Sequence, residues 1–340
     1  MERARIRLAY RYFSGELSDS SHPMIDQLSR VVAGYAADIG GVLRAGRWPS
    51  NFPAVFMYHH AGSKEGNVGP EAYTVSPTQL AADLERLTTH ATVVPMDRLI
   101  DWLTGDATLP PDAVVVTFDD GYRDVDSTVV PLLERFETPA TVYVSTGCVA
   151  DRKSPFAFRL LDALRRRDHV SIQLADSRIK TDVSTTGDLQ TVYDRLYTAS
   201  KWATPEERSR LLDRLGADDP EPIPMLRPEE VASLSASELV TVGSHGHRHV
   251  PLAGYDESTV RRDLEEADRL LTEWTGTTPD HFSYPYGSAG PAVRRGGPRR
   301  YASAVGTDAR RVRPRDWRRP HELPRFDGAD RAWPDDVGLE

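Results

Sequence analysis

The sequence predicts an α/β fold in which parallel strands alternate with helices to build a sheet or barrel. Three observations predict it. Ala113-Val114-Val115-Val116 is a continuous β-branched run following Pro110-Pro111 and reads as a strand buried on both faces. Shorter apolar runs with the same character recur at Val55 to Tyr58, Ala91 to Val94, Thr138 to Val144 and Leu239 to Gly243, and amphipathic helical stretches separate most of them. Finally, the residues with the most distinctive chemistry follow directly on strand-like runs, and the C-terminal ends of parallel strands are where α/β folds bind ligands.

In chain order, Met24 to Leu43 places Ile25, Leu28, Val31, Val32, Tyr35 and Ile39 in helical register, and Trp48 to Pro53 breaks it, so residues 1–50 read as an N-terminal helical extension. Residues 51–330 form the main domain, with 331–340 a tail. Ser76 to His90 opens with Ser-Pro and carries Leu80, Leu84 and Leu87 on one face, a helix leading into the strand at Ala91. Met96 to Leu103 is a further helix before the Ala113 strand. Asp124 to Phe136 has helical spacing through Val125, Val129, Leu132, Leu133 and Phe136. From about 150 to 224 the alternation stops; helices at Phe156 to Arg167 and Thr204 to Leu215, with a short strand at Val170 to Leu174, read as a mainly helical insertion able to roof a cleft or serve as structural elaboration. The core alternation resumes at Glu229, and Ser258 to Trp274 is a charged amphipathic helix ended by Thr275-Gly276. The tail from Arg294 is rich in Arg and Pro and reads as solvated surface.

A chain of 340 residues can bury a sizeable core, and its net charge of −9 argues against general nucleic-acid binding. Its single cysteine, Cys148, excludes an intramolecular disulfide and a cysteine-based zinc site. No run reaches the length of a membrane-spanning helix. Met1 to Arg11 is basic but lacks the apolar core and cleavage site of a secretory signal, so a cytoplasmic location is expected. Ile6 to Phe13 mixes basic and aromatic side chains, which permits peripheral membrane contact; an ordinary N-terminal helix is the simpler reading.

Two segments carry the chemistry. Thr117-Phe118-Asp119-Asp120-Gly121-Tyr122 puts two adjacent carboxylates at a strand end, a costly arrangement unless a cation, proton or partner compensates. The plainer reading is a helix cap in a polar turn. His245-Gly246-His247-Arg248-His249 follows the Leu239 strand, so two of its imidazoles together with one carboxylate could hold a divalent cation and leave positions open for water and substrate. A solvated loop is the competing reading, and His247 stays open as a ligand or a bystander.

These segments resemble those of the polysaccharide deacetylase family, the NodB-like domains of the fourth carbohydrate esterase family. Carried over, the resemblance makes Asp119 the catalytic base and Asp120, His245 and His249 the metal ligands. Two departures appear: Gly246 stands where relatives carry Ser or Thr, and Pro251 comes one place late. Phe282-Ser283-Tyr284-Pro285-Tyr286-Gly287 resembles the family's Phe-Ala-Tyr-Pro-Tyr-Gly wall, which implies that Tyr284, Pro285 and Tyr286 bind substrate alongside Tyr122. The Arg that orients the base in another branch is missing from this motif, and Arg325 in Leu323-Pro324-Arg325 is the candidate replacement, grouped here with the substrate-binding residues. Met57-Tyr58-His59 matches a motif of the circularly permuted branch, implying His59 as general acid, with His60 as the weaker choice. The resemblance covers about Pro53 to Thr146 and Met225 to Thr307. It implies a distorted (β/α)7 barrel and one divalent metal, zinc first, with cobalt, nickel or manganese also suited to mixed nitrogen and oxygen ligands.

The expected reaction is hydrolysis of a sugar N-acetyl group to acetate and a free amine. Such an amide needs an activated water, a stabilised oxyanion and a proton for the leaving nitrogen. The expected partner is an N-acetylated carbohydrate, taken on a precursor, nucleotide-linked or lipid-linked glycan. Alternatives are deacylation of a non-sugar amide and an inactive carbohydrate-binding protein; the joint presence of His59, Asp119, Asp120, His245 and His249 argues against the latter.

Overall fold

The structure, a computed structural model, describes residues 52–173, 178–217, 222–290, 293 and 300–329. The N-terminal extension, its helix at 24–43, the basic aromatic stretch at 6–13, the residues 331–340 and most of the stretch just after Arg294 lie outside the described residues.

Strand β1 (Ala54–Tyr58) is buried throughout. Helix α1 (Pro77–His90) starts where expected: the Ser76 hydroxyl accepts from the Gln79 backbone N–H at 3.1 Å, Pro77 opens the first turn, and Leu80, Leu84 and Leu87 are buried. Then come β2 (Thr92–Val93), α2 (Met96–Thr104), closed by left-handed Gly105, and β3 (Ala113–Phe118), buried at all six positions. The predicted helix after the acidic pair begins as a wider π turn, Val125–Val129, before α3 (Val130–Arg135); Val125, Val129 and Leu133 turn inward. Next are β4 (Ala140–Val144) and the short α4 (Thr146–Asp151), which the sequence reading did not anticipate.

The insertion holds α5 (Phe156–Arg165), an antiparallel hairpin of β5 (His169–Gln173) and β6 (Arg178–Asp182), α6 (Thr186–Ser200) and α7 (Pro205–Arg214). Strand β6 and helix α6 were not expected. These elements share their own apolar cluster, including Leu160, Leu164, Ile172, Val192, Leu196 and Leu211, and Val68 of the main body packs into it. The chain then returns through α8 (Pro228–Ser235), β7 (Val240–Ser244), α9 (Glu257–Thr275), β8 (His281–Ser283), β9 (Ser303–Val305) and β10 (Phe326–Asp327).

All pairings in the main sheet are parallel, in the order β10-β1-β3-β4-β7-β8-β9, with β2 set beside β3. Leu323 bridges to Val305 of β9 while Phe326 pairs with Phe56 of β1, so the segment 323–327 touches both sheet edges. The seven strands of that order, with β2 as an eighth at the side, make a curled parallel half-barrel of the expected distorted (β/α) type. Register places the chemistry: Tyr58 pairs with Phe118, and Val144 with Ser244, so His59, Asp119 and His245 emerge together at one rim. No helix among the described residues is long and apolar enough to cross a membrane.

Candidate active site

Asp120, His245 and His249 each offer one donor atom, and the three atoms lie within 4.8 Å of one another. The imidazole Nε2 atoms of His245 and His249 stand 3.2 and 2.9 Å from Asp120 Oδ1, yet that oxygen is buried and accepts no hydrogen bond. An orphaned buried carboxylate oxygen facing two imidazole nitrogens is the donor set a divalent cation requires, so the residues fit a metal.

The surroundings hold these donors in place. His245 Nδ1 lies 2.9 Å from the Ser283 carbonyl and donates to it, so in the neutral imidazole Nε2 is the bare nitrogen and is turned to the triad. The Tyr122 hydroxyl donates to Asp120 Oδ2 at 2.6 Å. Burial and then the Asp120 carboxylate raise the Tyr122 phenol well above its usual range, so it stays protonated and donating. Asp120 and His249 both adopt left-handed backbone angles, φ 77° and 46°, an uncommon conformation for residues other than glycine. The histidine loop is secured from α9: Asp263, buried, accepts the backbone N–H groups of His247 and Arg248 at 2.9 and 3.1 Å. This arrangement accounts for Gly246 in place of the hydroxyl residue. Its φ is +73°, and a Cβ there would lie 2.9 Å from an Asp263 carboxylate oxygen.

Asp119 is buried beside the triad and gripped by Arg325, whose two terminal nitrogens each donate to one carboxylate oxygen at 2.7 Å. The Ser283 hydroxyl adds a third bond at 3.0 Å. Burial alone would raise the Asp119 carboxyl; the Arg325 guanidinium, helped by His245 and His59, overrides it and holds the group below the usual carboxylate range. Arg325 is itself fully enclosed, and it also donates to the Thr117 and Ser283 hydroxyl oxygens and to the Gly306 carbonyl. Arg325 borders the cavity, but every nitrogen of its fork is engaged by protein, so its direct partner here is the base.

His59 borders the cavity above the triad, with its ring 5.6 Å from Tyr73 and its Nδ1 buried without a partner. His60 is held differently, with Nδ1 2.9 Å from Asp124 and its ring against Tyr122 and Phe158. His247 turns away from the triad to Thr146, Nδ1 to Oγ1 3.0 Å. Of the aromatic wall, Tyr286 faces the cavity and stacks at a tilt on His249, centroids 5.0 Å apart. Tyr284 is buried, spends its hydroxyl on the His321 carbonyl at 2.8 Å and still borders the cavity, whereas Pro285 is buried near Gly246 and is not part of the cavity lining.

The cavity measures about 610 Å³, within the range of small-ligand pockets. Its walls include residues no sequence motif signalled: Tyr73 after β1, and Gln190, Tyr193, Asp194, Tyr197 and Lys201 from α6 and its end. Ser283 was visible only as a Ser where the family wall has Ala, and Asp263 had no local signal.

A model of the polysaccharide deacetylase family matches residues 106–298, which include the acidic pair, both metal-side histidines and the aromatic wall. The chain belongs to the polysaccharide deacetylase family. As a polysaccharide deacetylase it is a hydrolase of the carbohydrate N-deacetylase class. No curated protein matches the sequence significantly. Among solved structures it is similar to IcaB from Ammonifex degensii, with 20% identity over 85% of this chain and 97% of that one and a TM-score of 0.56. It is also similar to a de-N-acetylase from Aggregatibacter actinomycetemcomitans (16% identity, 81% and 94% covered, TM-score 0.51) and to a polysaccharide deacetylase from Bacillus cereus (16%, 81% and 64%, 0.52). At these identities the likeness establishes the fold, a curled parallel sheet flanked by helices.

Proposed function

We propose that this polysaccharide deacetylase removes N-acetyl groups from a sugar in a metal-dependent reaction, with Asp120, His245 and His249 as ligands, Asp119 as base and His59 as acid. The observation that carries the reading is the orphaned Asp120 Oδ1 facing two imidazoles, directly beside a carboxylate held ionised by Arg325.

A divalent cation on these three residues, zinc being well suited to them, would supply Lewis acidity to the acetyl carbonyl and to the attacking water. Asp119 takes that water's proton. The bonds from Arg325 and Ser283 occupy three of the roughly four lone-pair sites of a carboxylate, leaving one directed elsewhere. His59 delivers a proton to the departing nitrogen, which otherwise leaves as a poor amide anion. His59 follows directly on β1, which pairs with β3, so it emerges at the same rim as the acidic pair. Tyr286 and Tyr197 give the sugar apolar faces to lie against.

Acetate release from N-acetylhexosamine oligomers, measured on metal-stripped protein with and without added divalent ions, tests the proposal. Release that needs the ion supports it. No release with any ion, from protein shown to bind one, would overturn it.

A further inference from the structure

The insertion places one cation, Lys201, in the wall of the catalytic cavity and a second, Arg208, against the Tyr286 hydroxyl, without a carboxylate beside either. Lys201, at the C-terminal end of α6, lines the cavity, and its ammonium lies 5.5 Å from the centre of the Tyr286 ring and 5.9 Å from that of Trp202. Tyr286 is the aromatic that stacks on His249. Arg208, on α7, is 4% exposed and sits directly behind. It donates to the Ser200 and Lys201 carbonyls, to the His249 carbonyl at 3.4 Å and to the Tyr286 hydroxyl at 3.3 Å, and its guanidinium lies 5.0 Å from the Phe156 ring centre. These partners are neutral. Among the described residues no carboxylate oxygen lies within 4.0 Å of either cation.

The other charges of the cavity do not neutralise them. Asp119 is paired with Arg325, Asp120 faces the two imidazoles, and Asp327 lines the cavity with Oδ1 accepting the Ala329 backbone N–H. Asp194, the acid nearest in sequence, is exposed, bonded to Gln190, and seven residues earlier on the helix, about 10 Å along its axis. Burying a cation without a counter-charge costs several kcal/mol in general, a cost that falls in full on buried Arg208 and in part on half-buried Lys201, and a protein of net charge −9 has acids to spare for the purpose. The missing counter-charge is expected on the ligand.

We infer that the substrate carries an anionic group, a carboxylate or phosphate, beside its N-acetyl sugar, and that Lys201 binds it while Arg208 reinforces the field through Tyr286. This inference rests on the deacetylase reading and names its substrate class. Lys201 is then a specificity residue, and Arg208 a positioning residue that ties the insertion to the His249 loop.

The test compares kcat/KM for matched substrates: an N-acetylhexosamine against its 6-phosphate, and a neutral N-acetylated disaccharide against one whose neighbouring sugar is a uronate. The anionic member is expected to be preferred about tenfold at low ionic strength, the ratio of one charge-assisted hydrogen bond. Added salt weakens the preference, Lys201→Met abolishes it, and Lys201→Arg retains it. The phosphate and uronate arms show which anion the site takes. Equal rates in both pairs, or a preference that survives Lys201→Met, would overturn the inference. If no sugar amide is hydrolysed, the deacetylase reading fails separately. Calorimetric titration with glucosamine and glucosamine 6-phosphate then decides the anion contact by itself: tighter phosphate binding that Lys201→Met removes upholds it, and equal binding sinks it.

Discussion

Arg325 and Asp119 lie 206 residues apart in sequence and meet in a fully buried, two-pronged ion pair with both bonds at 2.7 Å. The pair joins the segment that touches both sheet edges to the strand end carrying the acids. It thus couples barrel assembly to the state of the proposed base. A carboxylate this deep would favour its neutral form if burial acted alone; the guanidinium reverses that preference.

Replacing Arg325 by Met should therefore do two things. Stability falls by about 3–5 kcal/mol, because a buried carboxylate loses its partner. In the parent protein the depressed Asp119 pKa adds stability above the unfolded value of about 3.9, lost as pH falls through the lower folded value. In the variant, burial lifts the carboxyl, so less of it is ionised at a given pH and the acid limb of kcat/KM moves to higher pH. An unshifted acid limb in a folded Arg325→Met protein would show that Asp119 is not the group that must be ionised.

Tyr122→Phe isolates the support given to a proposed ligand. The hydroxyl bonded to Asp120 Oδ2 disappears while the ring that packs with His60 and Phe158 remains. Metal affinity should weaken roughly 10- to 100-fold, as when other outer-shell partners are removed. Competition with a chromogenic chelator measures this, and unchanged affinity would assign Tyr122 to packing alone.

The adjacent histidines should separate cleanly. His59→Gln removes the proposed proton donor, with a loss of roughly 10²- to 10⁴-fold in kcat and little change in metal content. His60→Gln instead removes the partner of Asp124 and disturbs the packing under Tyr122, so thermal stability falls while the variant that folds keeps most of its turnover. A larger kcat loss in His60→Gln than in His59→Gln would exchange their roles.

The legible part of this protein was the part read locally. Strand ends, the acidic pair and the histidine pair are each specified by a handful of consecutive residues, and parallel register brings them to one rim. Ser283, Asp263 and Arg208 act across distances in sequence that no spacing rule spans. Helix α6 is a different case: Thr185 forms a reciprocal cap with Asp188, and Leu189, Val192, Tyr193 and Leu196 lie on one buried face. Its signals were present, but the polar residues among them and the missing strand alternation hid a helix that walls the active-site cavity. Arg325 could be singled out from its neighbourhood, yet its grip on the base depends on the segment 323–327 lying between the two sheet edges.

Restoring the family's hydroxyl residue by Gly246→Ser should harm this protein. At φ +73° a side chain costs about 1–2 kcal/mol in backbone conformation alone. The new Cβ would also stand 2.9 Å from Asp263 Oδ2. That oxygen cannot retreat freely, since it accepts the His247 N–H, and its partner oxygen accepts that of Arg248. Relaxing the clash would thus loosen the loop between the two proposed ligands, His245 and His249. The expected result is a lower unfolding temperature together with reduced metal retention, whereas Asp263→Asn, which keeps an acceptor and the shape, should be milder. A Gly246→Ser protein as stable as the parent would mean that the loop takes another conformation and that Asp263 does not hold it.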